Sequence, residues 1–269
     1  MTTWEFSTSG PIEAQLSVPA GTVMVTATPK QAVTVSLLPH REGDDRAERL
    51  IADSEVSFEG GTLTVEVPKR AHVRGGTPLD LTVALPEGSS VTASTASADV
   101  SCTGELGALE GATASGDMRA ERLTGQVSLA TASGDVRLGD AAADVRVNTA
   151  SGDVSIERVG GDLAAKTASG DLRVGEAGRS AEVKTASGDV RIRSIAAGRA
   201  DVTSVSGDVT LAVPPGTAVY LDLSSLSGRV RSELDSGADP GDGGGDPDLI
   251  LRCNTVSGDI QVTRAAPAA

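Results

Sequence analysis

The sequence predicts an all-β protein, a β-solenoid (β-helix) built from 18-residue coils of two strands each. A hexapeptide close to Thr-Ala-Ser-Gly-Asp-Val starts at Thr95 and recurs every 18 residues, at Thr113, Thr131, Thr149, Thr167 and Thr185. Looser copies start at Ser204, Ser225 and Thr255. A fixed short period is typical of repeat proteins, whose units bury apolar side chains only by stacking on their neighbours.

The spacing of aliphatic residues is the second observation. One repeat carries Val136, Leu138, Val145 and Val147, and the next carries Val154, Ile156, Leu163 and Ala165. Residues two apart share one face of a strand, so each repeat has two short strands with corners at the Ser-Gly pairs. A glycine in every repeat, with abundant Val and Thr, disfavours a helix of the same period. A left-handed β-helix of hexapeptides would need aliphatic residues at Ala142 and Asn148, so the two-sided coil fits better.

Composition is the third observation. Hydrophobic residues make up 39% of the chain, but the only aromatic ones are Trp4, Phe6, Phe58 and Tyr220. A core of Val, Leu, Ile and Ala in thin layers suits stacked coils better than a deep globular core. The net charge of -14 disfavours binding to nucleic acid, because such a chain repels phosphate backbones.

Residues 1–78 are predicted to form a β-rich segment that caps the solenoid. Apolar residues alternate with polar ones at Ile12, Ala14, Leu16 and Val18, and again around Val23 and Val33. Asp44–Asp53 is predicted as a short helix capped by Asp44, with Ala47, Leu50 and Ile51 on one face. A hairpin is expected to turn at Gly60-Gly61, and Lys69–Pro78 is a basic loop.

Residues 79–264 are predicted as the solenoid repeats. Leu81, Val83 and Leu85 mark a strand ahead of the first coil near Val91. An acidic, Gly-rich loop at 232–248 is expected to be mobile, Leu249–Val262 returns as the last coil, and 265–269 is a tail.

The Asp of each repeat forms a predicted column on the outside of the coils. Stacking would place the carboxylates about 5 Å apart, so the column needs compensation. An arginine follows two residues after several of them, and the exposed ladder predicted to bind a partner comprises Asp117, Arg119, Asp135, Arg137, Asp153, Asp171, Arg173, Asp189 and Arg191. We expect each Asp to accept backbone N–H groups at its corner. The alternative is a calcium-binding β-roll, although such rolls place Gly-Asp corners twice per coil and this chain does so once.

No catalytic residue, metal site or cofactor is predicted. The repeat Ser and Thr residues have no base in a motif with them, and His40 and His72 fall in N-terminal loops. Asp239–Asp248 misses the EF-hand spacing. Cys102 takes the position of Leu138 and Cys253 that of Val147, so both are expected in the core, too far apart for a disulfide.

The Ser-Gly-Asp-Val repeats resemble the DUF4097 family. The strand Leu81-Thr-Val-Ala-Leu-Pro-Glu-Gly and its echo Val209-Thr-Leu-Ala-Val-Pro-Pro-Gly carry the same resemblance. Families of this kind are labelled "putative adhesin", with a β-solenoid fold, and related domains occur in bacterial cell-envelope stress proteins. The resemblance implies a non-enzymatic binding or scaffolding protein and supplies no catalytic residue.

We therefore expect a protein partner or self-association, through the Asp and Arg columns and the Lys69–Pro78 loop. A carbohydrate-active β-helix enzyme is the alternative from another class, but sugar-binding clefts use carboxylate pairs and aromatic platforms, and only Tyr220 is expected to point outward from a coil. The sequence has no 18-residue apolar run and no signal peptide, which predicts a cytoplasmic protein without membrane insertion.

Overall fold

The computed structural model describes residues 2–68, 77–195, 197–234 and 247–265. Most of the predicted Lys69–Pro78 loop, with His72, lies outside these ranges, as do the centre of the acidic loop and the tail after residue 265. The chain divides into two compact units, Met1–Ala143 (unit 1) and Asp144–Ala269 (unit 2).

Unit 1 contains a helix and thirteen strands among its described residues. They are β1 (Thr2–Ser7), β2 (Glu13–Val18), β3 (Gly21–Thr28), β4 (Ala32–Pro39), α1 (Asp45–Ala52), β5 (Glu55–Glu59), β6 (Thr62–Glu66), β7 (Leu79–Pro86), β8 (Ser90–Thr95), β9 (Asp99–Leu106), β10 (Leu109–Thr113), β11 (Met118–Leu123), β12 (Val127–Thr131) and β13 (Val136–Ala141).

Successive coils of unit 1 stack as parallel strands in two sheets. In one sheet β3 pairs with β9, β9 with β11 and β11 with β13; in the other, β2 pairs with β8, β8 with β10 and β10 with β12. Leu109 lies opposite Val127, one repeat later, so the 18-residue period is the step between neighbouring strands. The strands β2 and β3 belong to this stack although they precede the hexapeptide repeats. The division of the chain at residue 78 stays a prediction.

The N-terminal end of unit 1 changes from parallel to antiparallel pairing. β4 pairs antiparallel with both β7 and β1, and β5 forms an antiparallel hairpin with β6. The rings of Phe6 and Phe58 meet with centroids 5.4 Å apart. The predicted helix is confirmed: the Asp44 carboxylate accepts the N–H groups of Arg46 and Ala47, and the apolar face predicted for α1 is buried. The expected N-terminal cap with one short helix is therefore present.

Unit 2 contains twelve strands among its described residues. They are β14 (Val145–Thr149), β15 (Val154–Val159), β16 (Asp162–Thr167), β17 (Leu172–Ala177), β18 (Ser180–Ser187), β19 (Val190–Ile195), β20 (Gly198–Ser206), β21 (Val209–Val213), β22 (Val219–Ser225), β23 (Val230–Ser232), β24 (Leu249–Ser257) and β25 (Ile260–Arg264).

The last two coils of unit 2 are stacked out of sequence order. β20 pairs with β24, and β24 pairs with β22; in the second sheet β21 pairs with β25, and β25 with β23. The coil made by β24 and β25 is thus last in the chain, as predicted, but it lies between two earlier coils. The outermost coil is β22 with β23.

The core is a stack of aliphatic layers, one from each coil. Val136, Leu138 and the other positions predicted from the spacing are buried. The structure adds a fifth apolar position to the coil, held by residues such as Leu123, Ala141 and Val159. Both cysteines are free and buried, and burial raises the pKa of each thiol to about 12.

Candidate interaction face: the aspartate column

Carboxylates along the aspartate column accept hydrogen bonds from the backbone of the next coil. In unit 1 the Asp117 N–H donates to Oδ1 of Asp99 over 2.9 Å, and the Asp135 N–H donates to Oδ1 of Asp117 over 3.0 Å. The same bonds form a series in unit 2, in which the N–H of each residue donates to Oδ1 of the residue before it. The series is Asp153, Asp171, Asp189, Asp208, Asp259 and finally Arg229. The expectation that these carboxylates accept backbone N–H groups is confirmed, but the donor belongs to the next coil and not to the same corner.

The predicted arginines pair with the second carboxylate oxygen. In unit 1, Nη2 of Arg119 lies 2.8 Å from Oδ2 of Asp117, and Nη2 of Arg137 lies 2.9 Å from Oδ2 of Asp135. Nη1 of Arg137 also lies 3.6 Å from Oδ2 of Asp117, so one guanidinium bridges two coils. Because these side chains are about half exposed, each pair contributes only about 0–1 kcal/mol to stability.

Unit 2 repeats this arrangement once. Arg173 lies 2.8 Å from Asp171 and 3.7 Å from Asp153, again bridging two coils. Arg191 lies in register with Arg173 on the neighbouring strand, but it makes no ion pair with the residues that the structure describes. The five aspartates of the predicted ladder therefore lie in the column, and its four arginines lie beside the column, two residues further along the chain. The role of these nine residues in binding stays a prediction.

The glycine of the hexapeptide is required by close contact between coils. At Gly134 a Cβ atom would lie 1.9 Å from the carbonyl oxygen of Gly116, the equivalent residue one coil earlier. Real atoms do not approach so closely, so any other residue must push the coils apart. This contact explains why the corner reads Gly-Asp in repeat after repeat.

The threonine of the hexapeptide closes the same corner. The Thr131 hydroxyl accepts the N–H of Gly134 over 2.8 Å, and the hydroxyls of Thr113, Thr149 and Thr167 accept the equivalent N–H groups. These hydroxyls therefore act as acceptors for backbone N–H groups of the corners.

Three corners of unit 2 differ. The hydroxyls of Thr185, Ser204 and Thr255 are buried and have no hydrogen-bond partner among the described residues. The glycines of these corners, Gly188, Gly207 and Gly258, have φ angles of 140°, 134° and 152°. The Gly207 N–H donates to the carbonyl of Ser257 in the next coil instead of to the Ser204 hydroxyl of its own corner.

A cluster that the sequence did not reveal lies on unit 1 beside the column. Nδ1 of His40 lies 2.9 Å from Oδ1 of Asp80, and the Thr22 hydroxyl donates to the same oxygen. Partial burial raises the pKa of Asp80, but the Thr22 hydroxyl and His40 outweigh it, so the pKa lies below its usual value. Thr22 is aligned with Asp99, which places the cluster one step before the column.

A shorter acidic row lies on the other sheet of unit 2. The Asp162 N–H donates to Oδ1 of Asp144, and Arg179 lies 3.0 Å from the same oxygen. The Asp162 N–H and the Arg179 charge lower the pKa of Asp144. Across the described ranges, no group of three or more His, Cys, Asp or Glu residues is arranged to hold a metal ion. Nor does any described helix have the length and apolarity needed to cross a membrane.

Solved structures similar to this chain carry the names of binding proteins. A "putative lipid binding protein" from Parabacteroides distasonis shares 15% identity, with 97% of this chain and 96% of that chain covered and a TM-score of 0.48. A "putative adhesin" from Bacteroides fragilis shares 15% identity over 97% and 96%, with a TM-score of 0.38. Another from Parabacteroides merdae shares 12% identity over 97% and 95%, with a TM-score of 0.39. Likenesses at this level do not bear on function.

No curated protein matches the chain. The sequence profile of the family described as Toastrack DUF4097 matches residues 15–263, which includes the coils, the Gly-Asp corners and most of the N-terminal cap. The chain therefore belongs to the Toastrack family DUF4097.

Proposed function

We propose that this chain is a non-enzymatic binding or scaffolding module that holds a protein partner on its aspartate column. The observation that carries the proposal is the way Asp117 and Asp171 are fixed, each by an N–H of the next coil on Oδ1 and by an arginine on Oδ2. The result is a rigid, exposed row of alternating charge. Such rows favour recognition of a complementary surface, since charge complementarity sets specificity and register.

Arginine supports the same proposal. Arg119, Arg137 and Arg173 are about half exposed, so each keeps N–H donors available to a partner. Arginine is enriched among the residues that dominate protein interfaces. Because each guanidinium is already oriented by its Asp, a partner need not order a flexible side chain on binding.

The absence of an enzyme role is part of the proposal. The hydroxyls of Thr113, Thr131, Thr149 and Thr167 are committed to corner N–H groups. A nucleophile needs a base within hydrogen-bond reach. The family resemblance adds the setting that we propose, a response at the bacterial cell envelope. The predicted contribution of the Lys69–Pro78 loop lies largely outside the described residues.

Charge reversal on the column tests the proposal. Affinity capture from the native host, followed by cross-linking to the recovered partner, is carried out with the intact chain and with two double variants. Arg119→Glu with Arg137→Glu alters unit 1, and Arg173→Glu with Arg191→Glu alters unit 2. We expect one of the two double variants to capture at least tenfold less partner, because its reversed charges repel the complementary surface of the partner.

A matched control changes two cations on the other sheet. Lys166 and Lys184 lie opposite each other on β16 and β18, so Lys166→Glu with Lys184→Glu makes the same change in net charge. We expect this variant to keep the partner. Equal capture by all variants, or equal loss in all, would contradict a specific role for the column.

A further inference from the structure

The outermost coil of unit 2 leaves an open edge on each sheet. Within the described part of the chain, β22 ends one sheet and β23 ends the other. The inward side chains Val219, Leu221 and Leu223 are only partly buried, and Val230 is 44% exposed. The residues aligned with the first three in the next coil, Leu249, Leu251 and Cys253, are fully buried. Among the described residues, no layer covers this core-type face of the outer coil.

The backbone of β22 also has positions that pair with no strand in the described part of the chain. The Ala218 carbonyl accepts the N–H of Leu249, and the Leu226 N–H donates to the carbonyl of Thr255. In a parallel pair, alternate residues direct their N–H and C=O groups toward opposite neighbours. Even-numbered residues of β22 thus face β24, and odd-numbered residues face outward. The N–H and C=O groups of Val219, Leu221 and Leu223 form a template for a further strand.

The aspartate column ends at this edge with an arginine. Arg229 occupies the position that Asp holds in the coils beneath, and its N–H donates to Asp259. Its side chain is 74% exposed, with Nε 3.5 Å from Asp259, and Arg231 beside it is exposed as well. An arginine cannot accept the corner N–H of a further coil. It favours instead a segment that arrives with a carboxylate at this position.

Apolar side chains at the corner extend the same surface. The second position of the hexapeptide is Ala in the six regular repeats, but it is Val205, Val256 and Leu226 in the three coils at this end. These three are among the most exposed large apolar residues, and Leu226, on the outermost coil, is 83% exposed. Exposed apolar groups that cluster at one place mark interaction sites.

The size of the edge decides what it can bind. A stable dimer interface takes about 20–30 residues from each partner. The open coil offers a strand of seven residues and one of three. That is too small for a second copy of the chain, but it suits a single extended strand, for which backbone hydrogen bonds supply the affinity and alternate side chains the specificity.

We propose that β22 is a docking edge for an extended segment of another protein, which adds to the sheet as a parallel strand. The segment carries aliphatic residues at alternate positions, to cover Val219, Leu221 and Leu223. Its C-terminal end is acidic, where it reaches Leu226 and Arg229. None of the nine residues proposed to bind a partner on the column belongs to this edge, and neither proposal depends on the other.

Peptide binding tests the edge. The probe is a fluorescent peptide, Thr-Val-Thr-Leu-Thr-Val-Glu-Glu, titrated with the full chain and followed by anisotropy. We expect saturable binding, and at least tenfold weaker binding of a peptide of the same composition with its aliphatic residues grouped together. Leu221→Pro removes an outward N–H without touching the ladder to β24, so it should weaken binding at least tenfold. Leu221→Ala keeps the N–H and is the matched control, so it should bind the peptide more tightly than Leu221→Pro does. Binding by the two variants within about threefold of each other would mean that backbone pairing is irrelevant.

A charge swap tests the acidic end of the segment. Arg229→Glu should weaken binding of the glutamate-ended peptide at least tenfold. The same variant should bind a lysine-ended peptide more tightly than the unaltered chain does. Arg173→Glu with Arg191→Glu, which tests the column, should leave peptide binding unchanged. Circular dichroism checks that each variant keeps its strands.

Several outcomes overturn the proposal. They are the absence of saturable binding at the highest concentration of the chain, and equal binding by Leu221→Pro and Leu221→Ala. A concentration-dependent dimer that Leu221→Pro abolishes would assign the edge to a second copy. Binding seen only after residues 235–246 are replaced by a short Gly-Ser linker would show that the chain closes its own edge.

Discussion

The corners that begin at Thr149 and at Thr255 share the same first residue and the same Gly-Asp pair, yet their backbones differ. At Thr149 the hydroxyl accepts the Gly152 N–H over 2.9 Å. At Thr255 the hydroxyl is buried without a partner among the described residues, and Gly258 has a φ of 152°. One motif therefore supports two turn geometries, and the hydroxyl is satisfied in only one of them.

The difference follows the stacking of the coils. The corners with unpartnered hydroxyls are at Thr185, Ser204 and Thr255, which are neighbours in one sheet. Their glycine N–H groups turn toward the next coil: the Gly188 N–H donates to the Ser206 carbonyl, and the Gly207 N–H to the Ser257 carbonyl. A corner of this kind thus fixes the geometry of the next one. Each unpartnered hydroxyl costs about 1–3 kcal/mol, so these coils are expected to be the less stable part of unit 2.

Alanine at the corner glycines should have the largest effect. Gly207→Ala combines a φ of 134° with a Cβ only 2.2 Å from the Gly188 carbonyl oxygen, and we expect it to lower the free energy of unfolding by about 3–5 kcal/mol. Gly134→Ala has only the steric conflict and should cost about 2–3 kcal/mol. Urea unfolding measures both, with Gly10→Ala as control, since a Cβ there meets no atom within 4 Å. Equal losses in the first two would mean that backbone conformation does not separate the corners.

Replacing the threonine by valine should separate the two types of corner. Thr131→Val and Thr149→Val leave a glycine N–H without its acceptor, so each should cost about 1–3 kcal/mol in urea unfolding. Thr185→Val and Thr255→Val remove hydroxyls that have no partner among the described residues, and should raise the free energy of unfolding by up to about 1–3 kcal/mol. A loss at Thr255 as large as that at Thr149 would show that its hydroxyl is hydrogen-bonded after all.

The cysteines report on local opening in the two regions. Burial raises the pKa of both thiols to about 12, so neither reacts at pH 8 unless its coil opens. Cys253 lies on β24, between the strands with unpartnered hydroxyls and the open outer coil, whereas Cys102 lies between β3 and β11. We expect iodoacetamide to label Cys253 at least tenfold faster, as followed by mass spectrometry. Equal rates would place both coils in one cooperative unit.

Calcium should have the smallest effect, because the column is the same in both regions. Oδ1 of Asp117, beside the regular corners, and Oδ1 of Asp208, beside the others, each accept a backbone N–H. A metal ion would have to displace these bonds. We expect millimolar calcium chloride to leave Tm unchanged relative to magnesium chloride at equal ionic strength. A rise of several degrees with calcium alone would favour the β-roll reading.

Much of the fold follows from the sequence, because side-chain period and turn chemistry are local properties. The spacing of Val136, Leu138, Val145 and Val147 predicted the two-strand coil, and Asp44 predicted the start of α1; both are confirmed. The acceptor role of the column Asp residues was also predicted, since a corner N–H needs an acceptor, but the donors were expected at the same corner and lie in the next coil. Their role in binding stays a prediction.

The parts that the sequence did not predict depend on contacts between distant residues. Coils with the same apolar pattern can stack in any order, so nothing in the repeats indicated that β24 lies between β20 and β22. The two types of corner share one motif and differ through the neighbouring coil. The cluster of His40, Asp80 and Thr22 combines a residue of β3, a residue of β7 and the residue after β4, and none of these segments carries a recognisable motif.

The out-of-order coil has a consequence for synthesis on the ribosome. Residues 219–232 leave the exit tunnel before residues 249–264, but their place is on the outside of the coil that the later residues form. The outer coil must therefore wait, unpaired, until β24 and β25 have docked on β20 and β21. Elongation that stalls before Leu249 leaves an apolar strand, Val219–Ser225, exposed beside a still-growing sheet.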